Sequence, residues 1–301
     1  MKDLLALSSQ SVDFGQTQVL IDPAHGAVIL GYASHLDGQT WHWLAPSGSG
    51  DSAQDRVASF VMVPFCSRIC DGRFSYAGFE VVLPANNLPE RHPIHGHGFR
   101  RAWQVLEQSS HALTLGYTHA GDAWPWSYAV SLNLELEGAS LLISAALHNT
   151  SAASMPAGLG FHPFFPRKAQ TRIFASVTQW LPLDAQLMPL TPQELPKDLT
   201  LHDGYVLGEA ALDHVFVGWT GSARIQWPAW NAELTLTSSP QPSHLVLWAP
   251  KGEDYFCLEP VSNLPDGFNH PELPDSFVDI PPDGIHNMHW RLTPKLTSPC
   301  L

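Results

Sequence analysis

Four short segments of this 301-residue chain concentrate titratable side chains inside otherwise apolar surroundings. In Val63-Pro64-Phe65-Cys66-Ser67-Arg68-Ile69-Cys70, Arg68 sits among apolar neighbours. An unpaired charge there is expensive, so a carboxylate or a ligand oxygen is expected opposite it. The segment His92-Pro93-Ile94-His95-Gly96-His97-Gly98-Phe99 places three histidines within six residues, with two glycines that let the backbone come close to a partner. In Gly158-Leu159-Gly160-Phe161-His162-Pro163-Phe164-Phe165-Pro166, His162 is either a satisfied core histidine or a proton-transfer group. Burial lowers an imidazole pKa and a nearby carboxylate raises it, which leaves its charge open. In Tyr255-Phe256-Cys257-Leu258-Glu259-Pro260-Val261-Ser262-Asn263, Glu259 follows an apolar run. Burial moves such a carboxyl upward from about 4.3, toward values suited to general acid–base work. An ion pair between Glu259 and Arg68 is the structural alternative.

Metal chemistry fits these residues less well. His95-x-His97 has the spacing that opens a cupin metal motif, which needs a glutamate four or five residues on. Arg100, Arg101 and Ala102 fill that region, and the next glutamate is Glu107. Cys66 and Cys70 lie four apart, while Cys257 and Cys300 are isolated. That is not the paired Cys and His spacing of a zinc site, nor a disulfide framework. Four free thiols in a reducing compartment are expected, with no metal and no cofactor.

The elements that must position these groups read as strands. Val130, Leu132, Leu134 and Leu136 alternate with polar residues, as do Leu234 and Leu236; Leu141–Leu147 and Val215–Trp219 read as more fully buried strands. Twenty-six prolines and 22 glycines, spread throughout, cut the chain into short elements. The stretch Leu181–Leu201, with four prolines, is expected to be a long loop. No repeat of fixed period and no shift of composition divides the chain, so residues 1–301 are expected to form a single all-β domain of two packed sheets. Most of the 11 tryptophans should fill its core, leaving a few for a ligand.

The formal charge of -13, with no basic run beyond Arg100 and Arg101, disfavours nucleic acid and anionic membranes as partners. A neutral small molecule is the better ligand. The apolar stretch near Met1 is too short for a signal peptide, which needs about seven apolar residues or more. Nothing approaches the roughly 18 that span a bilayer. A cytoplasmic location is therefore expected, and nothing in the sequence specifies an oligomeric state.

Taken together and in order, the four segments resemble the aldose 1-epimerase (galactose mutarotase) family, from about Val19 to Leu292. The nearest likeness is to a bacterial subgroup with a His-Gly-His-Gly loop and a Gly-x-His-Pro-x-Phe-Pro segment. The resemblance implies a large antiparallel β-sandwich of the galactose mutarotase-like supersandwich type. It also implies a cofactor-free isomerase that interconverts the anomers of a monosaccharide. By the family's motifs, Glu259 corresponds to the catalytic base and His162 to the catalytic acid. Arg68, His95 and Asp213, the last within Leu212-Asp213-His214-Val215-Phe216, correspond to sugar-binding residues, and His97 is expected beside them. The chain departs from the family in two places. Ser67 stands where an asparagine precedes the arginine, and His97 stands where a second glycine is usual. Two other readings remain: a hexose-6-phosphate 1-epimerase using Arg100 and Arg101 for phosphate, and a non-catalytic carbohydrate sensor.

Overall fold

The computed structural model describes residues 4–47, 57–239 and 244–297. Among these residues the chain is almost entirely antiparallel β-structure in two large sheets of ten and nine strands. The expected alternation appears where one face meets the other sheet. In strand Tyr128–Glu137, Val130, Leu132, Leu134 and Leu136 are buried, while Ser131, Asn133 and Glu137 are exposed. The Leu141–Leu147 run lies in strand Ser140–Asn149, paired on both sides, and alternates buried with half-buried positions rather than being buried throughout. Between strand Gln179–Leu181 and the short helix Leu201–Asp203 the chain is irregular, as its prolines dictate.

The core lies between the sheets and contains Trp43, Trp227, Trp290, Phe165, Phe256 and Leu258. Each such side chain contributes about 1.5–3 kcal/mol on burial. The centre of the ten-stranded sheet runs Ser59–Met62, Gly160–Pro166, Tyr255–Val261, His244–Ala249, Leu212–Val217. These strands break the simple alternation because both of their faces are covered. Phe161, Phe165, Phe256, Leu258, Leu245, Leu247 and Phe216 face the core. Phe164, Cys257, Val261, Val246 and Val215 belong to a second apolar cluster on the other face. That second face carries the site. No helix among the described residues is long and apolar enough to cross a membrane.

Candidate active site

A cavity of about 710 Å³ opens over this second face. Its floor is formed by alternate residues of the central strands, among them His162 and Phe164, Glu259 and Val261, Asp213 and Val215, Val246 and Trp248. The pairing of Gly160 with Val261 and of Phe164 with Cys257 sets His162 directly across from Glu259. His162 Nε2 lies 3.3 Å from Glu259 Oε1, and both side chains are almost fully buried. Phe60, the cross-strand partner of His162 on its other side, stacks on the imidazole at 4.6 Å. Asp213 enters from two strands away, opposite Trp248.

Two loops build the wall. Asn263 holds the first: its Oδ1 accepts the Cys66 N–H at 2.8 Å, and its Nδ2 donates to the Cys66 and Leu264 carbonyls at 3.0 and 2.9 Å. The Asp266 N–H donates to the Arg68 carbonyl at 2.7 Å, fixing the residue that delivers the guanidinium. Replacing Asn263 by Ala leaves buried backbone groups unpaired and is expected to cost about 1–3 kcal/mol. A thermal or denaturant melt measures that loss. The second loop carries His95, which takes up a left-handed backbone with φ 59°. The Ser67 N–H donates to His95 Nδ1 at 3.1 Å. In the neutral ring the proton is then on Nε2, which leaves an N–H donor on a cavity-lining side chain.

Burial governs the electrostatics. It raises Glu259 well above the ordinary carboxylate range, with the nearby charge of Asp213 adding to the rise and Arg68 opposing it. Burial also lowers His162, to about 3. His95 falls well below the usual imidazole value, first through burial and then through His162 and Arg68. Asp213 is raised by burial, against the pull of Arg68. Of the two pulls that left the charge of His162 open, burial outweighs the neighbouring carboxylate, and desolvation favours a neutral ring beside a protonated Glu259. A single proton transfer across their contact interchanges the neutral and ion-pair forms.

Arg68, His95, Asp213, His162 and Glu259 all line the cavity. His97 does not. Its Nε2 meets the Tyr128 hydroxyl at 2.7 Å and its ring lies 4.6 Å from that of His119, so it turns away from the ligand position expected for it. The left-handed turn at His95 and Gly96 sends the two imidazoles to different partners, His95 Nδ1 to the Ser67 N–H and His97 Nε2 to the Tyr128 hydroxyl. The Arg68–Glu259 ion pair is not formed; Arg68 Nη2 donates to Glu90 Oε2 at 3.3 Å instead, and its Nε has no hydrogen-bond partner among the described residues. Glu90 was not legible as a site residue, because it lies in a charged, proline-flanked loop that looks solvated. Phe60 and Trp248 were equally hidden among many aromatic residues.

Among the described residues two clusters offer three metal-type donors, Cys70 with Asp71 and His92, and His162 with Cys257 and Glu259. In the first, Asp71 is held by Arg91 at 2.8 Å and His92 Nδ1 accepts the Asp71 N–H at 2.9 Å. In the second, His162 and Glu259 already partner each other. Cys66 and Cys70 are free thiols, and Cys300 lies outside the described residues.

A family model described as aldose 1-epimerase matches residues 13–281. The Escherichia coli protein YphB, described as uncharacterized, is 32% identical over 246 residues, covering 79% of this chain and 84% of its own. A crystal structure of a putative aldose 1-epimerase from Escherichia coli superposes with a TM-score of 0.85 at 27% identity, over 97% of this chain and 99% of that one. A galactose mutarotase-like protein from Clostridium acetobutylicum shares the fold at 17% identity, with a TM-score of 0.84 over 99% and 100% of the two chains. The two-sheet architecture is thus that of the galactose mutarotase-like β-sandwich, and by sequence and by structure the chain belongs to the aldose 1-epimerase family.

Proposed function

We propose that the protein is a mutarotase that interconverts the α and β anomers of a free aldose. The observation that carries this reading is the 3.3 Å contact between His162 and Glu259 on the floor of a cavity that Asp213, Arg68 and His95 also line. Anomer interconversion needs a proton taken from the anomeric hydroxyl and a proton given to the ring oxygen. Glu259, as carboxylate, takes the first; His162, as imidazolium, gives the second. The ring opens, the aldehyde turns over, and the reverse transfers close it on the other face. A pair that carries one proton matches a reaction with no net proton uptake. Arg68, the His95 Nε2–H and Asp213 offer the donors and acceptor that hold sugar oxygens, and Trp248 and Phe60 offer faces for its C–H surface.

Two observations support a neutral sugar over a phosphorylated one. Arg101 pairs with Asp122 at 3.6 Å outside the cavity lining. Arg100 lines the cavity, but its guanidinium donates to Asn87 at 2.6 Å. A phosphate dianion calls for convergent cations. The acid–base pair in turn favours an enzyme over a sensor, since binding alone has no use for it. Buried thiols fit a reducing cytoplasm. Saturation-transfer NMR between the anomeric protons of equilibrated glucose or galactose tests the reading. Accelerated exchange, unaffected by millimolar inorganic phosphate, is expected; competition by phosphate would favour the phosphosugar substrate.

Glu90 tunes this site through Arg68. Exchanging Glu90 for Gln frees the guanidinium of a partly exposed ion pair worth about 0.5–1 kcal/mol. Steady-state kinetics should then show a KM changed by about two- to fivefold and a kcat close to wild type.

A further inference from the structure

His97 lies two residues beyond the cavity-lining His95 and yet contacts the other sheet. Tyr128, which it meets at 2.7 Å, is the fully buried first residue of strand Tyr128–Glu137 in the nine-stranded sheet. Cross-strand pairing fixes Tyr128 between His119 and Asn149. The His97 ring packs at 4.6 Å on His119, whose own Nε2 is committed to the Trp124 carbonyl at 2.9 Å. The contact therefore ties the substrate-side loop to a rigid element of the other sheet. Burial, reinforced by His119, lowers His97 to about 4, and burial raises Tyr128 well above the phenol range. Both are neutral at physiological pH, so the contact is a hydrogen bond between two uncharged groups, its direction set by the His97 tautomer.

The backbone between His97 and His95 has little slack. Gly96 has φ 68°, and a Cβ there would lie 2.1 Å from the Val63 carbonyl oxygen. The His97 and Gly98 N–H groups both donate to that oxygen, at 3.0 and 3.1 Å. Asn86 Nδ2 donates to the carbonyls of Ile94 and Gly96 at 2.9 and 2.6 Å. His95 itself sits at φ 59°, a left-handed conformation disfavoured for a residue with a Cβ. Such a turn persists only when its surroundings over-determine it.

We propose that the His97–Tyr128 hydrogen bond is a strut that holds the left-handed His95–Gly96 turn and so aims the His95 imidazole into the cavity, which makes His97 a positioning residue that never touches the sugar. The mutarotase reading enters only in what His95 contacts.

The test compares His97→Phe, Tyr128→Phe and His97→Gln, the last keeping a hydrogen-bonding group, able to donate or accept, near the Nε2 position. The two Phe variants are expected to raise KM for the aldose by about tenfold, with the pH profile of kcat unchanged. His97→Gln should restore KM to within about twofold of wild type. In a His95→Ala background, His97→Phe should add nothing, because its effect passes through His95. An unchanged KM in both Phe variants, or full additivity with His95→Ala, overturns the strut. If His97→Phe does not fold, Tyr128→Phe and His97→Gln decide by the same KM criterion. A readout independent of turnover is the ¹⁵N spectrum of the His95 ring. Wild type should show a bare Nδ1 and a protonated Nε2, and both Phe variants should lose that single-tautomer signature. A wild type that turns over no aldose defeats the mutarotase reading while the spectrum still decides the strut; an unaltered His95 spectrum in both variants overturns it.

Discussion

Replacing Glu259 with Gln is expected to lower kcat for anomer interconversion by about 10²- to 10⁴-fold, with sugar affinity within a few fold of wild type. The amide keeps the size and much of the hydrogen bonding of the carboxyl, and it has no dissociable proton to exchange with His162. Stopped-flow polarimetry for kcat and calorimetry for affinity separate the two effects. The wild-type pH dependence follows from the directions of the shifts. His162 is lowered to about 3, so the pair gains its second proton only in strong acid. Glu259 is raised, so the pair keeps its last proton above the ordinary carboxylate range. Activity should therefore show no step at the usual imidazole value near 6.5. It should fall on the alkaline side, once the last proton leaves. A bell centred on an ordinary histidine and an ordinary carboxylate would contradict a pair tuned by burial.

His162→Asn is the second large effect, an expected loss of about 10²- to 10⁴-fold in kcat. The Asn side chain is too short to reach the Glu259 carboxyl from the same backbone position, and it cannot carry a proton to the ring oxygen. It also leaves Glu259 buried without its partner. A reduced melting temperature should accompany the kinetic loss, by an amount expected from about 1–3 kcal/mol. Because the two groups share one proton, the double variant should be little worse than either single variant. Multiplicative losses would mean that the two side chains act independently.

Much of the site could be read from the chain because its chemistry is concentrated in segments where charge and apolar residues conflict. Arg68, His162 and Glu259 each stand inside apolar runs, and the structure brings all three to one cavity. The all-β character was legible from period-two alternation in strands such as Tyr128–Glu137. Three things were not legible, each for a physical reason. The Gly160–Pro166 strand is buried at every position, because one face meets the core and the other the cavity; periodicity cannot distinguish that from an ordinary core strand. The partner of Arg68 depends on a loop returning through space, so Glu90 had no local signal. The direction of His97 depends on whether a loop residue finds a partner above or below it, and Tyr128 lies 31 positions away. The charge of His162 was open for a related reason. Burial and a neighbouring carboxylate pull an imidazole in opposite directions, and only the depth of the site decides between them.

The most direct test of the central claim is polarimetry of freshly dissolved α-D-glucose and α-D-galactose with wild type, Glu259→Gln and His162→Asn. An accelerated approach to anomeric equilibrium with wild-type protein, lost in both variants while they remain folded and bind sugar, is the predicted result. Near-wild-type acceleration in either variant would contradict the assignment of the catalytic proton to the His162–Glu259 pair.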